Sequence, residues 1–162
     1  MIRNNFLAFW GVILAVFATD FFSKLIVDER LPLGYKVPVC NGFFSFEKAY
    51  NTGGAFSILQ NHTSLLSVIA IVTVCVLVWV VHSKKFDLSI LEEIAIACIC
   101  GGAAGNLADR LFIGHVVDFI QLEFINFPIF NFGDIFINIG VIILVFSILI
   151  DKNGKQNNLM RN

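Results

Sequence analysis

Charge is scarce in this chain. Only 14% of its 162 residues are charged, while 57% are hydrophobic, and the mean hydropathy is +0.83. An ordinary soluble domain is about 25% charged and 45–50% apolar, so the shortage excludes a soluble globule and points to a membrane protein. There is no basic block, and the net charge is −1, which argues against a nucleic-acid partner. Low-complexity tracts and convincing internal repeats are also missing, and the length leaves no room for a second soluble domain. Residues 1–162 are therefore expected to form a single integral membrane domain.

Cysteine is sparse and badly placed for bridges. Of the four, only Cys40 falls in an aqueous loop; Cys75, Cys98 and Cys100 lie within apolar runs. Cys98-x-Cys100 has no His or acidic companion at metal-ligand spacing, so these residues read as free small hydrophobes. Several catalytic signatures are absent too: no G-x-S-x-G elbow, no H-E-x-x-H, no Walker-type glycine loop and no cysteine–histidine arrangement. The expectation is chemistry without a metal or other cofactor.

What the chain has in abundance is long apolar runs. A helix needs about 20 predominantly apolar residues to cross a bilayer, and four segments qualify: about 6–27, 65–81, 88–108 and 129–150. Residues 1–18 have the outline of a secretory signal peptide, but apolar character persists past Asp20 and further spans follow, so the segment is expected to stay as a first helix. Four spans put both termini on one side, together with Arg3, Lys84, Lys85, Lys152, Lys155 and Arg161. The opposite side carries Arg30, Lys36, Lys48 and Arg110 in longer stretches. The positive-inside rule then places both termini in the cytoplasm and turns residues 28–64 and 109–128 outward. The first outer stretch contains "YKVPVCNGFFSFEKAYNTGGAF", short Val/Phe/Tyr runs broken by Asn-Gly and Gly-Gly, which predicts a small β-sheet on the outer surface.

Ionisable groups at membrane depth cost roughly 2.5–3.5 kcal/mol each, so they need a reason. Asp20 and Lys24 share a face of the first helix and are expected to pair, with Lys24 snorkelling to the interface. The third helix ends "GGAAGNLADR". Its G-x-x-x-G, Gly101 and Gly105, permits close helix approach, and Gly102, Asn106, Asp109 and Arg110 share a face. Next, Asp118 stands in an outer loop among Val116, Val117, Phe119 and Ile120, with His115 nearby as a solvated or interfacial side chain. Asp134 heads the fourth span. With Asn131 it has the spacing of a capping box, and Asn131, Asp134 and Asn138 form a polar stripe expected to face the third helix. Asp118 and Asp134 are sixteen residues apart, ample for the loop between them to bring them face to face. Two aspartates in a low-dielectric pocket share a proton. The ionised one can take a proton from water while the protonated one donates to a carbonyl oxygen, which is acid–base amide hydrolysis.

In order, the blocks "DFFSK" (20–24), "YNTGGAFS" (50–57), "GGAAGNLADR" (101–110), "VVDF" (116–119) and "FPIFNFGD" (127–134) resemble those of bacterial signal peptidase II, the lipoprotein signal peptidase family, over nearly the whole length. The resemblance implies a four-helix aspartic endopeptidase of the bacterial inner membrane with an outward-facing, partly β cradle. Such an enzyme cleaves the signal peptide of prolipoproteins just before a diacylglyceryl-modified cysteine. On this resemblance Asp118 and Asp134 match the catalytic pair. Asn51, Asn106, Arg110 and Asn131 match polar residues around the site, and Asp20, Lys24 and Asp109 match recurring ionisable positions. It also implies prolipoprotein substrates, contact with membrane lipids, inhibition by globomycin and a monomeric state. The chain departs from the pattern at Gly54, where alanine is common, and at Gly133 and Ile135, where a small non-glycine residue and serine are usual. A glycine beside Asp134 is expected to loosen the helix start by up to about 1 kcal/mol. Two other readings compete: a different intramembrane aspartyl protease, since "FGD" is similar to the signature of that class, or a small ion-coupled transport subunit using Asp20, Lys24, Asp109 and Arg110 as a relay.

Overall fold

The computed structural model describes residues 5–54, 58–83 and 85–159, with side chains placed from residue 6 to residue 150 of these. Ala55, Phe56 and Ser57 of the second motif block lie outside the described residues, as do Arg3, Lys84, Arg161 and the side chains of Lys152 and Lys155. Four helices carry the fold: α1 (Asn5–Arg30), α2 (Thr63–His82), α3 (Ile90–Phe112) and α4 (Phe132–Leu159). Each is long and apolar enough to cross a membrane, over Phe6–Arg30, Thr63–His82, Ile90–Phe112 and Phe132–Ile150. The strands β1 (Lys36–Cys40), β2 (Phe44–Asn51) and β3 (Val116–Leu122) form one antiparallel sheet in the order β1-β2-β3. The expected architecture of four spans with a small sheet therefore holds.

The four helices are not equivalent. In α3, 61% of the apolar window is buried, against 17%, 11% and 11% in α1, α2 and α4, so α3 is the central post. In lipid, apolar side chains gain nothing by leaving the solvent, so helices associate by close packing and by polar contacts. The glycines of α3 supply the closeness. A Cβ on Gly101 would stand 2.7 Å from the Val16 side chain, and one on Gly105 would run into Asp20 Oδ2, so the G-x-x-x-G is the groove that receives α1. On the other side, a Cβ on Gly102 would collide with the Gly133 carbonyl, so α4 begins directly against α3. Farther along, Gly140 of α4 meets Ala95 and Ile99 of α3 in the same way. Phe9, Val81, Ile96, Ala97 and Cys100 form the apolar core where α1, α2 and α3 meet. Cys98 and Cys100 are buried and free, whereas Cys75 is exposed on α2 rather than buried in a core.

Three features differ from the sequence expectation. First, α3 runs on to Phe112, past the expected span end near 108, keeping Asp109 and Arg110 on the helix as expected and burying Asp109. Second, α4 starts at Phe132, because Phe130 is held in extended pairing: its N–H donates to Ile120 O (3.1 Å), and its carbonyl accepts from Ile120 N (2.8 Å). Third, Asp118 is on a strand, not in a loop. Residues Val116–Ile120 are all buried, so the in–out alternation that marks a strand is absent, as expected where both faces are covered. β2 pairs with β3 as Asn51↔Val116, Tyr50↔Val117 and Ala49↔Asp118, with a register shift between Phe46 and Ala49. The sheet is tied to the end of α1: Lys48 Nζ donates to the Asp28 carbonyl (2.9 Å), and Tyr50 OH donates to Asp28 Oδ1 (2.9 Å). His115 packs half-buried on the Tyr50 ring at 4.0 Å between centroids.

Candidate active site

Asn131 and Asp134 open α4 with a reciprocal capping box. Asp134 N donates to Asn131 Oδ1 (2.9 Å), and Asn131 N donates to Asp134 Oδ2 (3.2 Å). The helix N-terminus favours a carboxylate there. Asn131 is fully buried, and its Oδ1 accepts from a backbone N–H, which fixes the amide so that Nδ2 points inward. Nδ2 donates to Asp118 Oδ1 (2.6 Å) and to Asn106 Oδ1 (3.0 Å). One amide thus links the head of α4 to strand β3 and to α3. The return of the chain from Ile120 to Phe130 makes this possible, since it delivers Asn131 beside Asp118.

Asp118 is 2% exposed and both its oxygens accept hydrogen bonds, Oδ1 from Asn131 and Oδ2 from Asn51 Nδ2 (3.0 Å). The Asn51 amide is oriented in the same manner, its Oδ1 accepting from Gly53 N (2.9 Å). Burial, and next the nearby charge of Asp134, push the Asp118 carboxyl up to about 7, with the Asn51 and Asn131 amides pulling the other way. Near neutrality, Asp118 is therefore a group that can hold or release a proton. Asp134 is half-buried and receives Asn106 Nδ2 on Oδ1 (2.9 Å).

Beneath this pair lies an ionic layer. Lys24 Nζ stands 2.7 Å from Asp20 Oδ2, 3.1 Å from Asp109 Oδ2 and 2.7 Å from Asn106 Oδ1. Its side chain is 3% exposed, so it points into the protein and does not snorkel. Each acid of this layer also holds backbone: Asp20 Oδ1 accepts from Gly133 N (2.6 Å), and Asp109 Oδ2 accepts from Val117 N (3.1 Å). Arg110 reaches across to donate from Nη2 to Gly53 O (3.0 Å), which pins the turn that carries Asn51. Four carboxylates thus face two cations.

All nine residues singled out in the sequence (Asp20, Lys24, Asn51, Asn106, Asp109, Arg110, Asp118, Asn131 and Asp134) meet in this one constellation. Asn138 does not: it is exposed and donates to the carbonyl of Asp134 in its own helix (2.8 Å). Asn131 precedes the helix, so helical spacing could not place the two on one face. Two glycines escaped notice as site elements, Gly53 as the acceptor for Arg110 and Gly133 as the donor to Asp20. A Cβ on Gly133 would sit 3.0 Å from the Gly102 carbonyl oxygen and 3.1 Å from both Asn131 Oδ1 and Asp20 Cγ. This glycine relieves crowding where α1, α3 and α4 converge. Gly54 is under no such constraint, since its Cβ would meet only ordinary contacts at 3.5 and 3.6 Å. Among the described residues, no group of three or more His, Cys, Asp or Glu side chains is arranged to hold a metal ion.

Comparison with known proteins agrees with this arrangement of elements. The family profile for signal peptidase (SPase) II matches residues 12–150. The lipoprotein signal peptidase of Fusobacterium nucleatum is 39% identical over 126 residues, covering 78% of this chain and 76% of that protein. The Synechocystis enzyme of the same name is 38% identical over 140 residues, covering 86% of each. The one from Pseudomonas aeruginosa is 38% identical over 155 residues, covering 91% of this chain and 90% of that protein. A bacterial membrane enzyme solved by the in meso method at 2.3 Å resolution superposes with a TM-score of 0.85 at 29% identity, covering 93% of this chain and 92% of its own.

Proposed function

The chain belongs to the signal peptidase II family of multi-pass membrane peptidases, which remove signal peptides from lipoproteins, and on that premise we propose that it works as an aspartic endopeptidase with Asp118 and Asp134 as the reacting pair. Its substrates are prolipoproteins carrying a diacylglyceryl-modified cysteine, and the bond cut is the one just before that cysteine. The observation that carries this reading is the Asn131 amide. It binds Asp118 through its side chain and Asp134 through its backbone, and so holds two carboxylates from different elements at one point.

In the reaction, the pair carries a single proton. The ionised carboxylate takes a proton from a water molecule as that water attacks the scissile carbonyl. The protonated carboxyl donates to the carbonyl oxygen, so the tetrahedral intermediate forms without a separated charge. The carboxyl that took the water's proton then donates it to the leaving nitrogen while the other takes a proton from the gem-diol, so the C–N bond breaks and the pair again holds one proton. Asp118, with its carboxyl raised to about 7, is the proton holder, and Asp134, half-buried at a helix N-terminus, is the base. The whole chain acts as one integral membrane domain, with both termini cytoplasmic and the site toward the outer face of the bacterial inner membrane. Leu111, Phe112 and Ile113 beyond Arg110, and Phe124, Ile125 and Phe127 beyond β3, remain exposed. They set this end of the molecule at the bilayer interface, the depth at which a lipid-modified cysteine lies. A globomycin-type lipopeptide would compete for the same space, and the enzyme needs no partner subunit.

The test is cleavage of a lipidated prolipoprotein followed by gel shift. Asp118→Asn and Asp134→Asn are each expected to leave the precursor unshifted; full activity in either variant overturns the pair. Efficient cleavage of an unlipidated precursor by the wild type would contradict lipid-dependent recognition while leaving the pair in place.

A further inference from the structure

We propose that Lys24 is a positioning residue that sets the direction in which the Asn106 amide faces and thereby keeps Asp134 the ionised member of the pair. The proposal rests on the reading of Asp118 and Asp134 as the reacting groups. An ammonium group has three N–H donors and no acceptor. Here Nζ donates to Asn106 Oδ1 at 2.7 Å and stands in ion-pair contact with Asp20 Oδ2 and Asp109 Oδ2, in a site where Lys24 is 3% exposed. Asn106 must therefore present its oxygen to Lys24, and its Nδ2 is left facing Asp134 Oδ1 at 2.9 Å.

Flipping this amide would bring an NH2 group against the ammonium and against Asn131 Nδ2, and an oxygen against a carboxylate. Buried contacts of like polarity are costly, so with Lys24 in place only one orientation survives. That orientation offers Asp134 a donor, and a donor favours the ionised carboxylate. Without Lys24, the donor left on Asn106 Oδ1 among the described residues is Asn131 Nδ2, which is shared with Asp118. The flipped amide then becomes accessible, and its oxygen accepts a hydrogen bond from the O–H of a protonated Asp134. In that state the base is occupied and the two aspartates have exchanged roles. The charged groups around the pair are Asp20 and Lys24 from α1, with Asp109 and Arg110 from α3; β2 contributes the neutral Asn51. Lys24 is the only one of these that touches Asn106 through the side-chain oxygen, whereas Arg110 meets the Asn106 backbone carbonyl at 3.4 Å.

The experiment is the pH profile of kcat and KM for wild type, Lys24→Met and Lys24→Arg on a lipidated prolipoprotein, with a thermal midpoint to certify folding. In Lys24→Met, the acid limb of kcat is expected to move up by about one pH unit, lowering kcat about tenfold below the limb while KM changes less than about twofold. Lys24→Arg, still a pure donor, is expected to restore the wild-type limb. On an Asn106→Ala background, Lys24→Met is expected to leave the limb where Asn106→Ala alone puts it. A uniform loss at every pH, a loss in KM alone, or a limb shift that persists on the Asn106→Ala background overturns the proposal. Where Lys24→Met does not fold, Asp20→Asn/Lys24→Met removes the unpaired acid and is read against Asp20→Asn. Where that also fails, Lys24→Arg decides, since a displaced limb in it contradicts the mechanism. Retained activity in Asp118→Asn or Asp134→Asn would instead sink the pair itself, a result separate from any of these.

Discussion

Removing the Asp118 carboxyl should abolish activity yet make the protein more stable at alkaline pH. Its carboxyl is raised, chiefly by burial, to about 7, against about 3.9 for an unperturbed aspartate. Between those values the folded state binds more protons than the unfolded state, so stability falls as pH rises. It is unaffected by this group below about pH 4, is lost progressively up to about pH 7, and is flat again above. Three units correspond to about 4 kcal/mol as an upper limit. The amide introduced by Asp118→Asn cannot titrate, so this decline vanishes in the variant. That amide has its own cost. Both Asp118 oxygens accept amide N–H groups, from Asn131 at 2.6 Å and Asn51 at 3.0 Å. One of these donors would face the new NH2, costing about 1–3 kcal/mol. The variant should therefore be the less stable protein near pH 4.5, with the order reversing by pH 8. Paired thermal-unfolding midpoints of the purified proteins in detergent, taken from pH 4.5 to 8, measure this. A gap between variant and wild type that stays constant with pH would refute the argument that a buried, proton-sharing carboxyl is held at the cost of stability.

Two further outcomes follow from the packing at the site. Gly105→Ala places a methyl against the Asp20 carboxylate, whose Oδ2 pairs with Lys24 and whose Oδ1 accepts from Gly133 N, so the midpoint should fall by the equivalent of about 1–3 kcal/mol. Gly54→Ala, with only ordinary contacts, should leave midpoint and cleavage rate unchanged, and equal effects at both glycines would contradict the geometry. Asn131→Ser retains an acceptor for Asp134 N but lacks the NH2 that binds Asp118. It should be more stable than Asn131→Ala by the value of a cap, about 0.5–2 kcal/mol, while cleaving as poorly. Equal midpoints for the two would remove the capping role.

How much of this was legible in the sequence depended on whether the determinant was local. The four helices were, because an apolar run of sufficient length is its own signal, and so was the Asn131–Asp134 cap, which is a matter of three-residue spacing. Strand β3 was not. Its five buried positions show no alternation, and the cover over both faces comes from elements distant in the chain. The fate of Lys24 was hidden for a related reason. A lysine near a helix end normally reaches for water, and what turns it inward is an acid and an amide contributed by α3. The role of Gly133 was the least visible, because it consists of a missing methyl and a backbone N–H, neither of which has a sequence pattern.

These nonlocal contacts explain why catalytic and structural roles coincide in so small a membrane protein. Helices in lipid have no hydrophobic force between them, so close glycine contacts and polar contacts must do the joining. Here both kinds fall at the same place. Gly102 and Gly105 bring α4 and α1 onto α3, and the acids admitted by that closeness hold the ends of other elements, Asp20 at the head of α4 and Asp109 at β3. The ionic layer thus fixes the two elements that carry Asp134 and Asp118. Its charges cannot be traded for apolar residues without loosening both, since an apolar side chain offers nothing to Gly133 N or Val117 N. A glycine at 133 is accordingly not a weakness at the helix start, because the N–H that it presents is tethered to another helix and the space that it leaves is filled by Asp20 and Gly102.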